Sequence, residues 1–303
     1  MWERGWLSSN QVFVAGGRDS PPGLIDAGHA VHAEQTLALV RHALGSVGQA
    51  PRLLGRLVNT HLHSDHCGGN AALQALFPAL HTLVPPGSFE AAREWDDQAL
   101  SYRATGQQCP RFVPDAPLRI GGQVEIGHLR FEVHAAPGHD PDAVLLFEPA
   151  SGLLITGDAL WGDGFGVVFP ELDGVAAFDT VGDTLDLIAA LPVRLVVPGH
   201  GPAFTDVDAA LERARARLRT WQADPQRHAR HAAKALVKYH MMEVGVQPLE
   251  DLLVWMAGTP CVRGLHGRRL EGEPYAAWAA ALVAELCERG KLRLALGQVH
   301  DRA

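Results

Sequence analysis

The stretch Thr60-His61-Leu62-His63-Ser64-Asp65-His66-Cys67-Gly68-Gly69 decides how this chain is read. It continues RLLGRLVNTH (52–61), a β-rich apolar run, so side chains able to bind a metal gather where a strand gives way to a loop. Alternate residues of an extended chain point the same way, which lets His61 and His63 converge on one ion. Asp65 and His66 stand where the chain turns into a helix and aim at a second point. Gly68 and Gly69 let the backbone turn tightly beneath the site. Imidazole and carboxylate suit zinc, and equally iron or manganese.

Three shorter motifs repeat the arrangement further along: Ala136-Pro137-Gly138-His139, Ile155-Thr156-Gly157-Asp158 and Val197-Pro198-Gly199-His200. Each sets one ligand-type side chain just after an apolar strand and a glycine. A lone histidine in such a place is commonly a surface or satisfied core residue. Five histidines and two aspartates at successive strand ends instead make a preorganised metal site on a rigid sheet.

The rest of the chain frames that site. With 303 residues and ~150 per domain, it forms one large domain or a core with a smaller appendage. Hydrophobic residues at 47% and charged residues at 20% belong to a packed globular protein. No window reaches the ~18 uncharged apolar residues that span a bilayer. MWERGWLSSN lacks the basic and apolar regions of a signal peptide, so the expectation is a cytoplasmic protein without membrane association. Cys67, Cys109, Cys261 and Cys287 form no CxxC pair, against a disulfide framework or a cysteine-based zinc site. A net charge of -8, from 34 acidic against 26 basic residues, argues against a generally basic nucleic-acid binder.

Hydrophobic periodicity predicts strands at 11–17, 23–28, 52–61, 81–84, 123–126, 129–134, 143–148, 153–156 and 193–199. Helices fit 30–46, 70–80, 88–104 and 174–191, and residues 105–118 read as an irregular proline-containing loop. After Pro202 the composition turns helical, at 207–223, 226–243, 247–257 and 275–289, with a terminal strand at 291–296. The expected division is a catalytic domain at 1–204 and a helical accessory domain at 205–303. Arg213, Arg215, Arg217 and Arg219 read as a solvated helix face, contact with an acidic substrate being the other reading. His228 and His231 read as surface, and Trp221, Trp255 and Trp278 as core.

The order HLHSDH, PGH, GD, PGH resembles the metallo-β-lactamase superfamily across residues 11–204. Leu24-Ile25-Asp26-Ala27-Gly28 is similar to that family's early strand motif. Phe112-Val113-Pro114-Asp115, with the stretch from Leu118 to Ile126, is similar to its approach to the PGH strand. The resemblance implies an α/β (α+β) fold, the four-layer αββα sandwich. The C-terminal helices loosely resemble the small winged-helix appendage of some superfamily hydrolases, which caps the active site. It further implies His61, His63 and His139 on a first metal, Asp65, His66 and His200 on a second, and Asp158 bridging the two. The implied cofactors are two divalent ions, zinc foremost, with iron or manganese as alternatives. Two such cations polarise a substrate carbonyl and bring the pKa of a bridging water from 15.7 towards ~7, giving the hydroxide that attacks. Asp65 would also exchange a proton with the leaving group.

Asp158 and the missing signal peptide argue against an antibiotic-degrading role. The sequence is closer to the glyoxalase II-like branch, whose members hydrolyse thioesters, esters and lactones. It departs from the glutathione thioesterases after the bridging aspartate, where Leu160 to Phe169 carries no base to pair with a glutathione carboxylate. Trp161, Phe165 and Phe169 there line an apolar acyl pocket or pack as core. The expected partner is a small acyl substrate rather than nucleic acid, and a homo-oligomer is compatible with it. The rival readings are a mononuclear iron persulfide dioxygenase, a nuclease and a non-catalytic regulator.

Overall fold

Period-two alternation of side chains builds two sheets that share one interior. The structure, a computed structural model, describes residues 1–48, 53–269 and 274–302. Strands β1 (Val12–Val14), β2 (Gly23–Ile25), β3 (Arg56–Val58), β4 (His81–Val84) and β5 (Ala116–Pro117) form the first five-stranded sheet in that order. Only the β1–β2 pairing in it is antiparallel. Strands β6 (Gln123–Ile126), β7 (Leu129–Ala135), β8 (Val144–Glu148), β9 (Leu153–Gly157) and β10 (Leu195–Pro198) form the second, ordered β10-β9-β8-β7-β6. The expected strand at 52–61 is shorter than its apolar run, and its first residue lies outside the described residues.

Ile25, Val58 and Leu83 of the first sheet meet Ile126, Phe131, Val133, Val144, Leu146 and Ile155 of the second in one buried cluster. The alternate residues face outward. Leu24 and Leu57 pack against Leu37, Val40 and Leu44 of α1 (Ala33–Ser46). Leu145, Phe147 and Leu154 pack against a helix at Phe178–Ala190 through its Val181, Leu185 and Ile188. The result is the αββα sandwich. Each such aliphatic side chain contributes roughly 1.5–3 kcal/mol by leaving water.

Five shorter helices join these layers: α2 (Ser64–Cys67), α3 (Asn70–Leu76), α4 (Phe89–Glu94), α5 (Tyr102–Thr105) and α6 (Phe169–Leu172). The helix expected over 88–104 divides into α4 and α5 because Trp95 (φ 63°) and Ser101 (φ 64°) are left-handed. Between them the Asp96 carboxylate accepts from the backbone of Gln98 and Ala99, a local turn that competes with helix.

Beyond α7 (Phe178–Ala190), α8 (Val207–Ala223) starts at Asp206, whose side chain accepts from Ala209 N–H. Its Ala210, Leu211, Ala214, Leu218 and Trp221 join the core of the second sheet's outer face. Asp224 caps α9 (Pro225–Val244) in the same way, with Pro225 in its first turn. From α9 onward a separate core forms. Helices α10 (Leu249–Gly258), α11 (Pro260–Arg269) and α12 (Tyr275–Glu288) bury Met241, Met256, Trp278 and Leu282 against Leu292 and Val299. Those last two belong to a sheet ordered β11 (Val246–Pro248), β13 (Gln298–Asp301), β12 (Leu292–Ala295). Its hairpin turns at Leu296 (φ 51°) and Gly297 (φ 74°), a primed turn without the usual Asn-Gly signature, which is why β13 was not anticipated. Val167 and Leu172, from the loop after β9, insert into this second core and tie it to the sandwich. Among the described residues no helix is long and apolar enough to cross a membrane.

Candidate metal centre

The chain leaves β3, bends at Thr60 and His61 and, with His63 extended, enters α2. That geometry puts both alternate rings on one side, His61 Nε2 lying 3.2 Å from His63 Nδ1. The PGH turn after β7 adds His139, whose Nε2 lies 2.8 Å from the same His63 nitrogen. Asp65 and His66 ride on α2, Asp158 follows β9 and His200 follows β10. His200 Nε2 is 3.0 Å from Asp65 Oδ2 and 3.7 Å from Asp158 Oδ1. His66 Nε2 is 3.4 Å from Asp158 Oδ1 and 3.8 Å from Asp65 Oδ2. The second oxygen of Asp158 turns the other way, 3.4 Å from His139 Nε2. All seven residues are buried and fall into two groups: His61, His63 and His139, then Asp65, His66, Asp158 and His200. Within each group the ligand atoms lie within 4.8 Å of one another.

Outer partners fix the ring orientations. Asp26 takes hydrogen bonds from Thr60 N–H and Thr60 Oγ1, and its Oδ2 stands 2.8 Å from His66 Nδ1. His139 Nδ1 faces the Val167 carbonyl at 2.6 Å, and Asp140 stands 3.7 Å from His63 Nε2. Carbonyl or carboxylate contacts of this kind set which nitrogen of each ring faces inward. Gly199 is required by close approach, since a Cβ there would strike Asp158 Oδ1.

Electrostatics agree with the geometry. Burial pushes the His61 imidazole well below its ordinary value, helped by His66 and His63, and takes His63 down to about 3. Burial alone would raise the carboxyls, but His66 and His200 outweigh it and hold Asp65 down to about 2. His200 and His66 likewise keep Asp158 well below the usual carboxylate range. His66 goes the other way: against the opposing effect of burial, Asp26, Asp65 and Asp158 raise it well above its ordinary value. A positive charge is thus favoured in the second group, where the fully buried His66 Nε2 makes no closer polar contact, among the described residues, than the 3.4 Å one to Asp158 Oδ1. Ionised carboxylates in the second group and the neutral imidazoles of His61 and His63 in the first fit divalent cations, and a cation can take the place of the positive charge that the second group favours.

The site opens into a cavity of about 430 Å³. Of the three aromatic residues expected at the pocket, Trp161 and Phe169 line it. Phe165 lies in the core at 1% exposure, its ring 5.2 Å from Trp221. Trp161 Nε1 donates to Asp158 Oδ1 at 3.2 Å, and Phe169 stands edge-on to His63 with centroids 4.9 Å apart.

Sequence reading missed several participants. Trp6 stacks on His200 at 5.2 Å, an aromatic near the N-terminus with no local motif to mark it. Tyr239 reaches from α9 to place its hydroxyl 2.8 Å from Ser64 Oγ. The arginine run is only partly a solvated face. Arg213 donates to the Gly162 carbonyl, and Arg217 to those of Asp163 and Phe165, so α8 pins the loop after Asp158. His228 is a buried residue rather than a surface one, its Nε2 accepting from Val168 N–H at 3.1 Å. Trp221 and Trp278 are core as expected, whereas Trp255 is partly exposed and stacks on His240.

A hydroxyacylglutathione hydrolase of Acaryochloris marina is 31% identical over 168 residues, 54% of each chain. Another, of Xanthomonas euvesicatoria pv. vesicatoria, is 27% identical over 272 residues, 88% of this chain and 89% of that one. Several curated relatives match over less, this chain spanning 34% and 42% of the length of two of them. Among solved structures, TTHA1623 in a di-iron-bound form superposes with a TM-score of 0.55 at 27% identity, covering 70% of this chain and 97% of that one. The profile of the metallo-beta-lactamase superfamily matches residues 4–200, which take in every one of the clustered histidines and aspartates. With that match over most of its length and the αββα sandwich beneath it, the chain belongs to the metallo-beta-lactamase superfamily.

Proposed function

We propose that this chain is a metal-dependent hydrolase that holds two divalent cations and cleaves a thioester, ester or lactone carbonyl. The observation that carries the reading is Asp158, whose Oδ2 faces His139 in one group while Oδ1 faces His66 and His200 in the other. Cations held by His61, His63 and His139 and by Asp65, His66 and His200, with Asp158 between, would polarise a carbonyl and lower the pKa of a water from 15.7 towards ~7. Zinc is the first choice of ion for these donors. Iron is the second, favoured by the di-iron-bound relative.

The chain's own residues supply the rest. Trp161 holds Asp158 by its indole N–H. Asp65, ionised and lining the cavity, would accept a proton from the attacking water and pass it to the leaving group. Trp6, Trp161 and Phe169 wall the entrance and keep water from an acyl group. The C-terminal part, expected as an accessory unit over 205–303, closes the cavity from α9 through Lys234 and Tyr239, while Arg217 comes from α8, which packs on the sandwich itself. Relatives named hydroxyacylglutathione hydrolase favour a thioester among the three substrates.

Metal content per chain, measured by mass spectrometry on protein purified without added metal, tests this first. Close to two zinc, iron or manganese ions, followed by turnover on a thioester and lactone panel, is the expected result. A single iron with oxygen uptake on glutathione persulfide would overturn it in favour of a dioxygenase.

A further inference from the structure

The cavity over the metal ligands has a second, cationic side. Arg217, His231, Lys234 and Arg289 line it together with the metal-binding residues. The same four line an adjoining cavity of about 560 Å³, where Arg227 and Arg230 join them. The two spaces therefore meet along shared side chains contributed by α8, α9 and the end of α12.

Among the described residues, five bases, Arg217, Arg227, Arg230, Lys234 and Arg289, face one acid, Glu285, in that second space. Glu285 already receives Lys234 at 2.5 Å and Arg230 and Arg289 at 2.9 Å each. Arg217 donates to backbone carbonyls, and neither it nor Arg227 has a carboxylate within 4.0 Å among the described residues. The described lining of this space therefore carries a net positive charge, on a chain whose net charge is -8. Their field is felt locally: after loss of water around the ring, Arg217, Lys234 and Arg289 help hold His231 down to about 4. Like charges gathered in a concave, partly desolvated groove repel one another, and an anionic ligand relieves that repulsion.

We propose that this groove binds phosphate groups of the substrate's leaving part, the substrate being an acyl thioester whose thiol carries two or more phosphates. The inference rests on the hydrolase reading for the reaction and on the groove alone for the anion. A carboxylate carries one charge, whereas a terminal phosphate carries roughly -1.5 to -2 near neutral pH, so a ligand with several phosphates offsets the net positive charge of the groove where one carboxylate cannot. Guanidinium forks suit phosphate oxygens in pairs. In the reaction the C–S bond breaks, the hydroxyl of water joins the acyl carbon, and the remaining proton goes to the thiolate sulfur of the phosphate-bearing leaving group, with no redox change.

Two measurements on the full-length protein test it. Inorganic diphosphate titrated calorimetrically should bind, more weakly as salt rises. The double variant R230A/R289A should weaken binding about tenfold or more, since hydrogen bonds to charged groups are lost. E285Q should tighten it, because a competing carboxylate disappears, an opposite sign that general destabilisation cannot produce. In parallel, one acyl group is offered on coenzyme A, which carries a diphosphate and a further phosphate, and on N-acetylcysteamine, which carries none. The coenzyme A thioester should have the lower KM, and the ratio of the two KM values should shrink about tenfold in R230A/R289A. Diphosphate binding that ignores all three substitutions, or equal KM values, would overturn the proposal. So would tight binding of a single-stranded RNA that diphosphate fails to displace. If neither thioester is cleaved while diphosphate still binds with the stated responses, the anion groove is supported and the hydrolase reading is what fails.

Discussion

His66 Nδ1 and Asp26 Oδ2 meet at 2.8 Å in full burial, so the ring nitrogen left over, Nε2, points at Asp158 and Asp65. Asp26 stands outside both ligand groups yet decides which face of His66 they see. Its backbone is left-handed (φ 56°), a conformation that Asp and Asn accept better than other residues with a side chain.

Asp26→Asn keeps that backbone tolerance and the shape, and removes the charge. Metal affinity should fall about 10–100-fold, as for other outer partners of ligating histidines. Competition against a chelator measures it, with circular dichroism expected to show an intact fold. Unaltered affinity would mean that Asp26 does not orient the ring.

Asp158→Asn removes the charge shared by both groups. His61→Ala removes a ligand from one. Each should lower turnover about a thousandfold or more, since metal-borne charge stabilisation is worth several kcal/mol. Thermal unfolding of the metal-free variants controls for folding. Retained activity in either would defeat the proposed mechanism.

Cation binding to the second group should release a proton. His66 is held above its ordinary value of 6.5 in the metal-free fold, so Nε2 carries a proton that a cation must displace. Affinity should therefore weaken as pH falls. The sign for stability is opposite: a raised pKa stabilises the metal-free protein fully below 6.5, and that contribution is lost as pH rises through the raised value. Adding zinc in weak buffer with an indicator dye reads the first effect, and unfolding midpoints across pH read the second. Proton-neutral binding would contradict the protonated His66.

Gly199→Ala forces a methyl group into Asp158 Oδ1. The strain should cost about 1–3 kcal/mol and move the carboxylate out of the space between the two groups. Metal content should fall below that of the parent protein. Gly45→Ala, where a Cβ meets nothing within 4 Å, is the matched control.

The sandwich was legible because its causes are local and periodic. Leu24 and Ile25, or Leu145 and Leu146, alternate between the outer and inner faces of a strand, and that alternation is written in the order of residues. The clustering of His61, His63, Asp65 and His66 was legible because near neighbours in the sequence must be neighbours in space, even though the chain bends at Thr60 and His61 instead of running on extended. His139, Asp158 and His200 each follow an apolar run and a glycine, so their strand-end positions could be read, though not their distances.

Tertiary structure alone placed Trp6 over His200, Asp26 behind His66, and α8 and α9 beside the loop after Asp158. No short-range pattern encodes these contacts, because each joins segments brought together only when the two sheets and the second core pack. The loop Leu160–Phe169 shows the difference. Its sequence holds no base, yet Arg217 from α8 lies against it and turns a wall that reads as apolar into one with a cationic side. Between the two readings open for Phe165 the packing decides in the same way: an aromatic residue in a loop faces the cavity or the core according to what packs behind it, and here Trp221 does. Strand alternation and ligand order are properties of the chain, whereas the charge around the cavity is a property of which helices land there.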